Sequence, residues 1–466
     1  MDLDLADFSV KYLERLGATY AEAKLEEVKG SGYILKNGNV EISGFDKSTG
    51  LGIRFISKGT LGFVAINDLE KNKIRGLINK SFNLTTKASK IGEKVTLSEE
   101  KTVKTNYEVK QKLKLDTVGP EEKIKFLLSL DKDINKKYFR YFSLNDTITN
   151  KYYVNSEGTK IKSRIPNIGF YYFITVVVNN KSMQRYLPYG GTGGWEIVKK
   201  WDLKKNLMDE IKALENVIKK GIKPPKGKID LVVGPEVTGI ASHEGVGHPY
   251  EADRIFGREA AQAGESFITP SMIGHKIGSD VVNLVDDPTI QGSNGFYLYD
   301  DEGVKARKKI LIKNGKIAEF LHNRETASIM NINSNGASRA SDYNKESLVR
   351  MSNTYVLPGD YKEEELFKDI KLGVYMKNFM EWNIDDKRFH QKYTGAEAYL
   401  IKNGEIRDPV INPVLEITTP ALWSSVDALS NKLLFVAGNC GKGEPMQGIP
   451  VWFGGPHMRL RNIIMR

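Results

Sequence analysis

Apolar and polar side chains follow a helical period near the start of the chain. Residues 5–16 place large apolar side chains three and four positions apart, which predicts a helix with one buried face. Gly17 comes directly after them, in the position that glycine favours at the end of a helix. A second helix is predicted over residues 69–84.

The segment between these helices has a period of two instead. Apolar and polar residues alternate around the pairs Asn37-Gly38 and Lys58-Gly59, which are typical of tight hairpins between antiparallel strands. Residues 137–190 are rich in aromatic and β-branched side chains, so strands are also expected there. These later strands either complete the first sheet or start another.

A change in composition near residue 225 predicts the main domain boundary. Residues 203–220 repeat apolar positions at helical spacing, and the sequence KPPKGK that follows is the strongest linker candidate. We therefore expect one domain at 1–225, in which helices pack on a sheet, and a second domain at 226–466.

The second half of the chain is expected to be rich in strands. A short apolar strand at 229–234 precedes Pro235, which suits the first position of a helix. Two later segments contain the turn sequence KNG between alternating residues, as in β-hairpins. The expected fold class is α+β, with an N-terminal helix-on-sheet domain and a C-terminal domain rich in antiparallel strands.

Composition and charge exclude several classes of protein. The 466 residues are 40% hydrophobic, which is enough for a large core. The formal net charge is +11, but basic residues are interleaved with acidic ones and no nucleic-acid-binding motif is present, so nucleic acid is not the expected partner.

No apolar run is long enough to span a membrane and the first residues are acidic, so we expect no membrane contact, no secretory signal and a cytoplasmic location. The single cysteine, Cys440, excludes a disulfide within the chain.

The sequence ASHEGVGHPYEADR at 241–254 is the strongest candidate for chemistry. Glu244 directly follows His243, as in the zinc-binding motif HExxH, but the second histidine, His248, comes one position later than in that motif. Side chains five positions apart point about 140° away from each other around an α-helix, so a shared metal ion requires a distorted helix.

The local sequence favours such a distortion. A π-helical turn brings residues five positions apart to one face, and turns of this kind are frequent at functional sites. Gly245 and Gly247 weaken regular helix, and Pro249 lacks the amide that would bond to the preceding turn. The sequence therefore predicts a π-bulge within the motif.

Zinc is the expected metal, because neutral imidazole suits it and catalytic zinc takes three protein ligands and a water. The residues leave the third ligand open. Cys440 lies between glycines that allow a close backbone approach, Glu251 lies three positions after His248, and Glu244 is not excluded. Glu244 also has the position of the general base of a metallopeptidase, which takes a proton from the attacking water. The remaining histidines are expected to be surface or structural residues: His275, His322, His390 and His457.

Segments along nearly the whole chain match one known family in order. They include NSEG at 155–158, HEGVGHPYEADR at 243–254, VDDPT at 285–289, RMSNTYVLPGD at 350–360 and AGNCGKGEP at 437–445. The chain thus resembles the TldD/PmbA family, the so-called modulators of DNA gyrase, and specifically its TldD branch. The resemblance implies a zinc metallopeptidase in which the metal ligands are His243, His248 and Cys440. It also implies that Glu244 is the general base, and Glu251 is then expected beside the ligands rather than among them.

The resemblance also implies substrates and partners. Family members are linked to the cleavage of extended or unfolded peptides, and PmbA (TldE) relatives keep the fold, lack the metal motif and pair with a TldD-type subunit. We therefore expect a peptide substrate and a dimer, either a homodimer or a heterodimer with a PmbA/TldE-like subunit. The alternative is a non-catalytic, partner-binding scaffold subunit of the same family. One departure is the loop after the cysteine, where CGKGEPMQG replaces the usual CGKxGQ.

Overall fold

In a computed structural model, which describes residues 2–259 and 264–465, the first part of the chain forms a sheet covered by helices. Its strands are β1 (Tyr20–Lys36), β2 (Asn39–Ser57), β3 (Thr60–Ile66), β4 (Lys104–Glu108), β5 (Phe139–Asn155), β6 (Lys160–Val178) and β7 (Lys181–Thr192). Its helices are α1 (Asp4–Leu16), α2 (Lys71–Ala88), α3 (Pro120–Asp131), α4 (Glu196–Lys200) and α5 (Leu203–Lys220). The strands pair in the order β3-β2-β1-β5-β6-β4, and β7 pairs with β6.

This sheet settles the alternative that the sequence left open. The strands expected within residues 137–190 complete the first sheet, because β5 pairs with β1 along its length. The predicted helix at 5–16 is α1, and Gly17 follows it with a φ of 94°. The predicted helix at 69–84 is α2, which starts and ends a few residues later.

Apolar clusters fix the helices on the sheet. Leu13 of α1 and Ile78 of α2 pack with Ile53 of β2 in one cluster. Leu207 of α5 packs with Phe170 of β6 in another. Burying side chains of this size from both layers stabilises each contact by roughly 1.5–3 kcal/mol per side chain, which holds the helix-on-sheet layer together.

The rest of the chain contains shorter elements. Its strands are β8 (Gly227–Val233), β9 (Leu284–Asp286), β10 (Lys309–Lys313), β11 (Lys316–Ile317), β12 (Ser338–Arg339), β13 (Leu348–Val349), β14 (Asn353–Val356), β15 (Leu372–Met376), β16 (Phe379–Ile384), β17 (His390–Gly395), β18 (Ala398–Lys402), β19 (Glu405–Pro409), β20 (Val414–Thr418), β21 (Val426–Leu429), β22 (Leu434–Lys442), β23 (Gln447–Gly455) and β24 (Met458–Met465). Its helices are α6 (Pro235–Ser242), α7 (Ala252–Ile255), α8 (Arg324–Ile329) and α9 (Thr419–Ser424).

These strands form sheets with the orders β11-β10-β9-β14-β23-β22, β19-β18-β15-β8-β24-β21, β16-β17-β20 and β12-β13. Most neighbours are antiparallel, as predicted, but β14 pairs with β23 and β8 pairs with β15 in parallel. Parallel neighbours need long crossover connections, which a hairpin pattern in the sequence does not reveal. Strand accounts for 42% of the structure and helix for 24%, so the predicted α+β class is confirmed.

Two features of this part position the candidate site. Pro235 begins α6 directly after β8, as predicted, and α6 packs against β14, β22 and β23. β22 lies at the edge of its sheet, and no strand within residues 2–259 and 264–465 pairs with its other side.

Buried ion pairs connect the two parts of the chain. Arg54 of β2 bonds Glu22 at 2.7 Å and Glu302 at 2.6 Å, and all three side chains are buried. The division of the chain near residue 225 remains a prediction. Among the helices that the structure describes, none combines the length and the apolar character that a membrane crossing requires.

Candidate metal centre

The predicted π-bulge is confirmed. α6 continues into a π-helical turn at His243–Gly247, in which the backbone N–H of His248 donates to the carbonyl oxygen of His243. This bond spans five positions and closes the angle that an α-helix would leave between the two side chains. Their ring centroids are therefore 4.9 Å apart.

Close packing explains why glycines occupy the turn. A Cβ atom on Gly247 would lie 1.7 Å from Sδ of Met351, and one on Gly245 would lie 2.3 Å from Nε2 of Gln391. Any larger residue would force either the turn or these side chains to move. The glycines thus permit the π-turn and its tight contact with the surrounding strands.

Cys440 reaches this turn from β22. Its Sγ atom lies 3.3 Å from Nε2 of His248. One donor atom from each of His243, His248 and Cys440 lies within 4.8 Å of the other two, and all three side chains are buried. Within the described part of the chain, no other group of histidine, cysteine and acidic side chains meets this distance.

The chemistry of these donors fits zinc. Nδ1 of His243 is buried and has no hydrogen-bond partner among the described residues, so it is free for an ion. Burial lowers the pKa of His243, which keeps its ring neutral. Burial alone would raise the pKa of the Cys440 thiol, but the charges of His248 and Arg350 outweigh it and lower that pKa to about 7. A neutral imidazole from His243, a ring nitrogen of His248 and a readily formed thiolate are donors of the types that zinc prefers.

Glu251 lies behind the ring of His248. Its Oε2 is 3.1 Å from Nδ1 of that ring, 2.7 Å from Nε of Arg254 and 3.2 Å from Nζ of Lys442. Burial would raise the pKa of Glu251, but Lys442, His248 and Arg254 hold it well below its ordinary value. A carboxylate on Nδ1 fixes the proton there and leaves Nε2 for a metal. The structure therefore places Glu251 beside the donors and not among them.

Both carboxylate oxygens of Glu244 accept hydrogen bonds from side chains of the β16–β17 hairpin. Its Oε2 accepts a hydrogen bond from Nη1 of Arg388 at 2.6 Å, and its Oε1 accepts one from Nε1 of Trp382 at 3.3 Å. Burial would raise the pKa of Glu244, but the charges of His248 and Arg388 outweigh it and lower that pKa. The carboxylate is therefore ionised at neutral pH.

A cavity of about 810 Å³ lies on the other face of the β22–β23 hairpin. It is bounded by Asn439 of β22 and by side chains of β5 to β7, including Tyr171 and Tyr189. Successive side chains of a strand point to opposite faces, so Asn439 faces this cavity while Cys440 faces the histidines. The volume is typical of a ligand site, and β22 contributes residues both to the cavity and to the donor cluster.

The remaining histidines lie apart from the donors, as predicted. His275 and His390 are exposed. Nδ1 of His322 lies 3.2 Å from Oγ1 of Thr326, and Nε2 of His457 lies 3.0 Å from the hydroxyl of Tyr375. These contacts give the two buried rings structural roles.

Sequence reasoning missed the residues that contact the two glutamates. Lys442 was detectable, because it stands two positions after Cys440 in a strand and so shares its face. Arg388 and Trp382 lie in a distant hairpin, and no spacing in the sequence connects them to Glu244.

The fold and the donor cluster are those expected of a metallopeptidase, and comparisons with known proteins place the chain in this class. Models of the PmbA/TldA metallopeptidase match residues 21–84 as domain 1, residues 113–220 as the central domain and residues 226–465 as the C-terminal domain. The chain belongs to the TldD/PmbA family.

Relatives and solved structures agree with this assignment. The chain is 32% identical over 445 residues to a metalloprotease of Methanocaldococcus jannaschii, covering 94% of this chain and 95% of the relative. It is 26% identical over 464 residues to a zinc metalloprotease TldD homolog of Saccharolobus solfataricus, covering 97% and 98%. TldE of Thermococcus kodakarensis has the same fold, with a TM-score of 0.72, 17% identity and 99% of both chains covered. A Thermotoga maritima protein described as a modulator of a DNA gyrase has a TM-score of 0.79, 15% identity and the same coverage.

Proposed function

We propose that the chain is a zinc-dependent metallopeptidase that hydrolyses extended or unfolded peptides. The observation that carries this proposal is the cluster of His243, His248 and Cys440, whose donor atoms lie within 4.8 Å of one another. The metalloprotease names of the relatives support peptide hydrolysis, and the zinc metalloprotease among them supports the metal.

Each residue of the site has a defined task in this proposal. Zinc, when bound by His243, His248 and Cys440, supplies polarisation of the peptide carbonyl and acidification of a water molecule. Glu244 takes a proton from the attacking water and later gives it to the nitrogen of the leaving amine as the C–N bond breaks. Glu251 holds the ring of His248 in the orientation that presents Nε2.

The edge of β22, unpaired among the described strands, supports the proposal that the substrate is an extended peptide. A peptide that pairs with a free strand edge is recognised through its main chain, with little dependence on its sequence. Its side chains would then point alternately to the cavity beside Asn439 and to the donor cluster beside Cys440. A folded segment has no free main chain to offer, so this mode selects unfolded peptides.

We also infer a dimer, either of two copies or with a PmbA/TldE-like subunit. The structural likeness to TldE supports this type of partnership. Light scattering of the purified chain, alone and mixed with a TldE-type protein, distinguishes the two assemblies. A monomer in both samples would contradict the inference.

The proposed function is tested by measuring zinc per chain and hydrolysis of an unstructured peptide in matched variants. Glu244→Gln should keep zinc and lose hydrolysis by about 10²–10⁴-fold, because the amide cannot accept the proton. Cys440→Ser should lose both. His275→Ala removes an exposed histidine outside the site and should change neither. Equal activity in all variants would reject the mechanism, and a metal-free parent would favour a scaffold subunit.

A further inference from the structure

The hairpin formed by β16 and β17 holds the carboxylate of Glu244 from both sides. Nη1 of Arg388, near the tip of the hairpin, donates to Oε2 at 2.6 Å. Nε1 of Trp382, on β16, donates to Oε1 at 3.3 Å. Because each oxygen has its own donor, the carboxylate is confined to one orientation.

The backbone of Arg388 is strained and held in place. Its φ is 65°, in the left-handed region that a residue with a Cβ atom adopts at a cost in free energy. The N–H of Arg388 donates to the carbonyl oxygen of Asp385 at 3.0 Å, and its own carbonyl oxygen accepts from Oγ1 of Thr419 at 2.8 Å. Strained residues that their surroundings fix in this way are concentrated at functional sites.

The guanidinium of Arg388 also differs from that of a structural ion pair. Arg185 shows the structural case, because its three nitrogens donate to Glu210, Glu236 and the carbonyl oxygen of Phe379. Nε of Arg388, by contrast, is buried and finds no acceptor among the described residues. Most buried donors in folded proteins are paired, so a buried donor without an acceptor calls for an explanation.

We propose that Arg388 is a positioning residue that aims the carboxylate of Glu244 at the attacking water. The proposal rests on the proposed function. In the first step the water oxygen bonds to the carbonyl carbon, the carbonyl π-electrons move to the carbonyl oxygen, and the water proton passes to Glu244. In the second step an oxygen electron pair re-forms the C=O bond, the C–N bond breaks with its electrons going to nitrogen, and the proton passes from Glu244 to that nitrogen. Arg388 keeps the carboxyl group in the same place for both transfers.

The test compares the variant Arg388→Ala with Lys387→Ala, which removes a neighbouring cation. We expect Arg388→Ala to lower kcat on an unstructured peptide by about 100-fold, as for a misplaced catalytic group. KM should stay within about threefold, because the lost interaction orients the base and does not bind substrate. Zinc per chain should be unchanged. Lys387→Ala removes an exposed cation from the same turn and should leave kcat unchanged.

Chemical rescue of Arg388→Ala distinguishes a role of Arg388 in positioning Glu244 from a role in stability alone. Guanidinium ions at millimolar concentration should restore part of the kcat of Arg388→Ala and should not stimulate the parent or Lys387→Ala. Arg388→Lys should retain an intermediate kcat, because it keeps the charge without the planar fork of donors. Arg388→Gly breaks the same pair but relieves the left-handed strain, so its Tm should be higher than that of Arg388→Ala while its kcat is equally low.

A measurement that needs no activity keeps the inference separate from the proposed function. In metal-free protein, the Tm losses of Arg388→Ala and Glu244→Gln should be less than additive in the double variant, because either change breaks the same pair. If Arg388→Ala has the kcat of the parent while Glu244→Gln is inactive, the role of Arg388 is overturned and the proposed function stands. Equal hydrolysis in the parent and Glu244→Gln would overturn the proposed function, and additive Tm losses would then show that the pair is uncoupled as well.

Discussion

Sγ of Cys440 lies 3.3 Å from Nε2 of His248, although the two residues are 192 positions apart in the chain. The distance depends on two independent features: the π-turn that rotates His248 inward, and the packing of α6 against β22. Neither feature alone brings the donors together. The centre is therefore sensitive to changes in the turn and in its supporting residues.

The first prediction concerns the support of His248. Glu251→Gln should weaken zinc affinity by about 10–100-fold, because the amide no longer fixes the ring through a charged hydrogen bond. Competition with a chelating dye measures this affinity on protein whose circular dichroism matches the parent. Glu405→Gln, an exposed change on β19, should leave the affinity unchanged. Parental affinity in Glu251→Gln would show that the carboxylate does not support the ligand.

The second prediction concerns the π-turn. Gly247→Ala should destabilise the chain by about 1–3 kcal/mol, as overpacking does, since the new Cβ meets Sδ of Met351 at 1.7 Å. Zinc binding should fall with it if the clash displaces the turn rather than the side chain of Met351. Gly76→Ala in α2 has open space and should stabilise by about 0.5–1 kcal/mol.

A second substitution checks this explanation. The double variant Gly247→Ala/Met351→Ala removes the side chain that the new Cβ meets, so it should recover part of the lost zinc binding. Its free energy of unfolding should remain below that of the parent, because Met351→Ala removes buried apolar contacts. Denaturant unfolding and zinc titration measure the two effects. No recovery would mean that contact with Met351 is not the cause.

The third prediction concerns pH. Burial lowers the pKa of His322 from 6.5 to about 4, so the folded chain resists a proton that the unfolded chain accepts. The stabilising contribution is full above pH 6.5 and is lost as the pH falls through 4. It amounts to roughly 3 kcal/mol at about 1.4 kcal/mol per pH unit. The unfolding free energies of the metal-free parent and His322→Gln should therefore converge by this amount between pH 7 and 4. A constant difference would contradict the buried neutral ring.

The fourth prediction concerns the contact between the two parts of the chain. Arg54→Met should lower the free energy of unfolding by about 3–5 kcal/mol, because it leaves the buried carboxylates of Glu22 and Glu302 unpaired. Denaturant unfolding measures this loss. Arg407→Met breaks an exposed pair with Glu405 and should have little effect, because solvent screens such pairs. A similar loss in both variants would argue against burial as the cause.

The local part of the site was predictable from sequence. Gly245, Gly247 and Pro249 indicated a π-turn, and the turn is present because these residues also fit the tight packing around it. Spacing did not select Cys440 over Glu251 as the third donor, since that choice depends on how β22 docks. The resemblance to a family pointed to Cys440, and the structure brings it to the histidines. Zinc binding and the roles of these residues remain proposals.

The elements that sequence patterns missed have polar contacts on their buried faces. α3 carries a buried lysine, Lys123, which bonds Asp146 at 2.7 Å. A charged residue on the inner face interrupts the apolar period by which a helix is recognised. Arg388 and Trp382 are similar cases, because their partner Glu244 is brought to them only by the fold.

The order of the donors along the chain has a consequence for biosynthesis. A nascent chain that has emerged from the ribosome as far as α9 carries both imidazoles of the centre but not its sulfur, which arrives with β22. Metal capture by all three donors therefore waits until translation has passed Cys440 and the late strands have docked. On the proposed function, a protease for unfolded polypeptides would therefore be inactive until its own chain has folded.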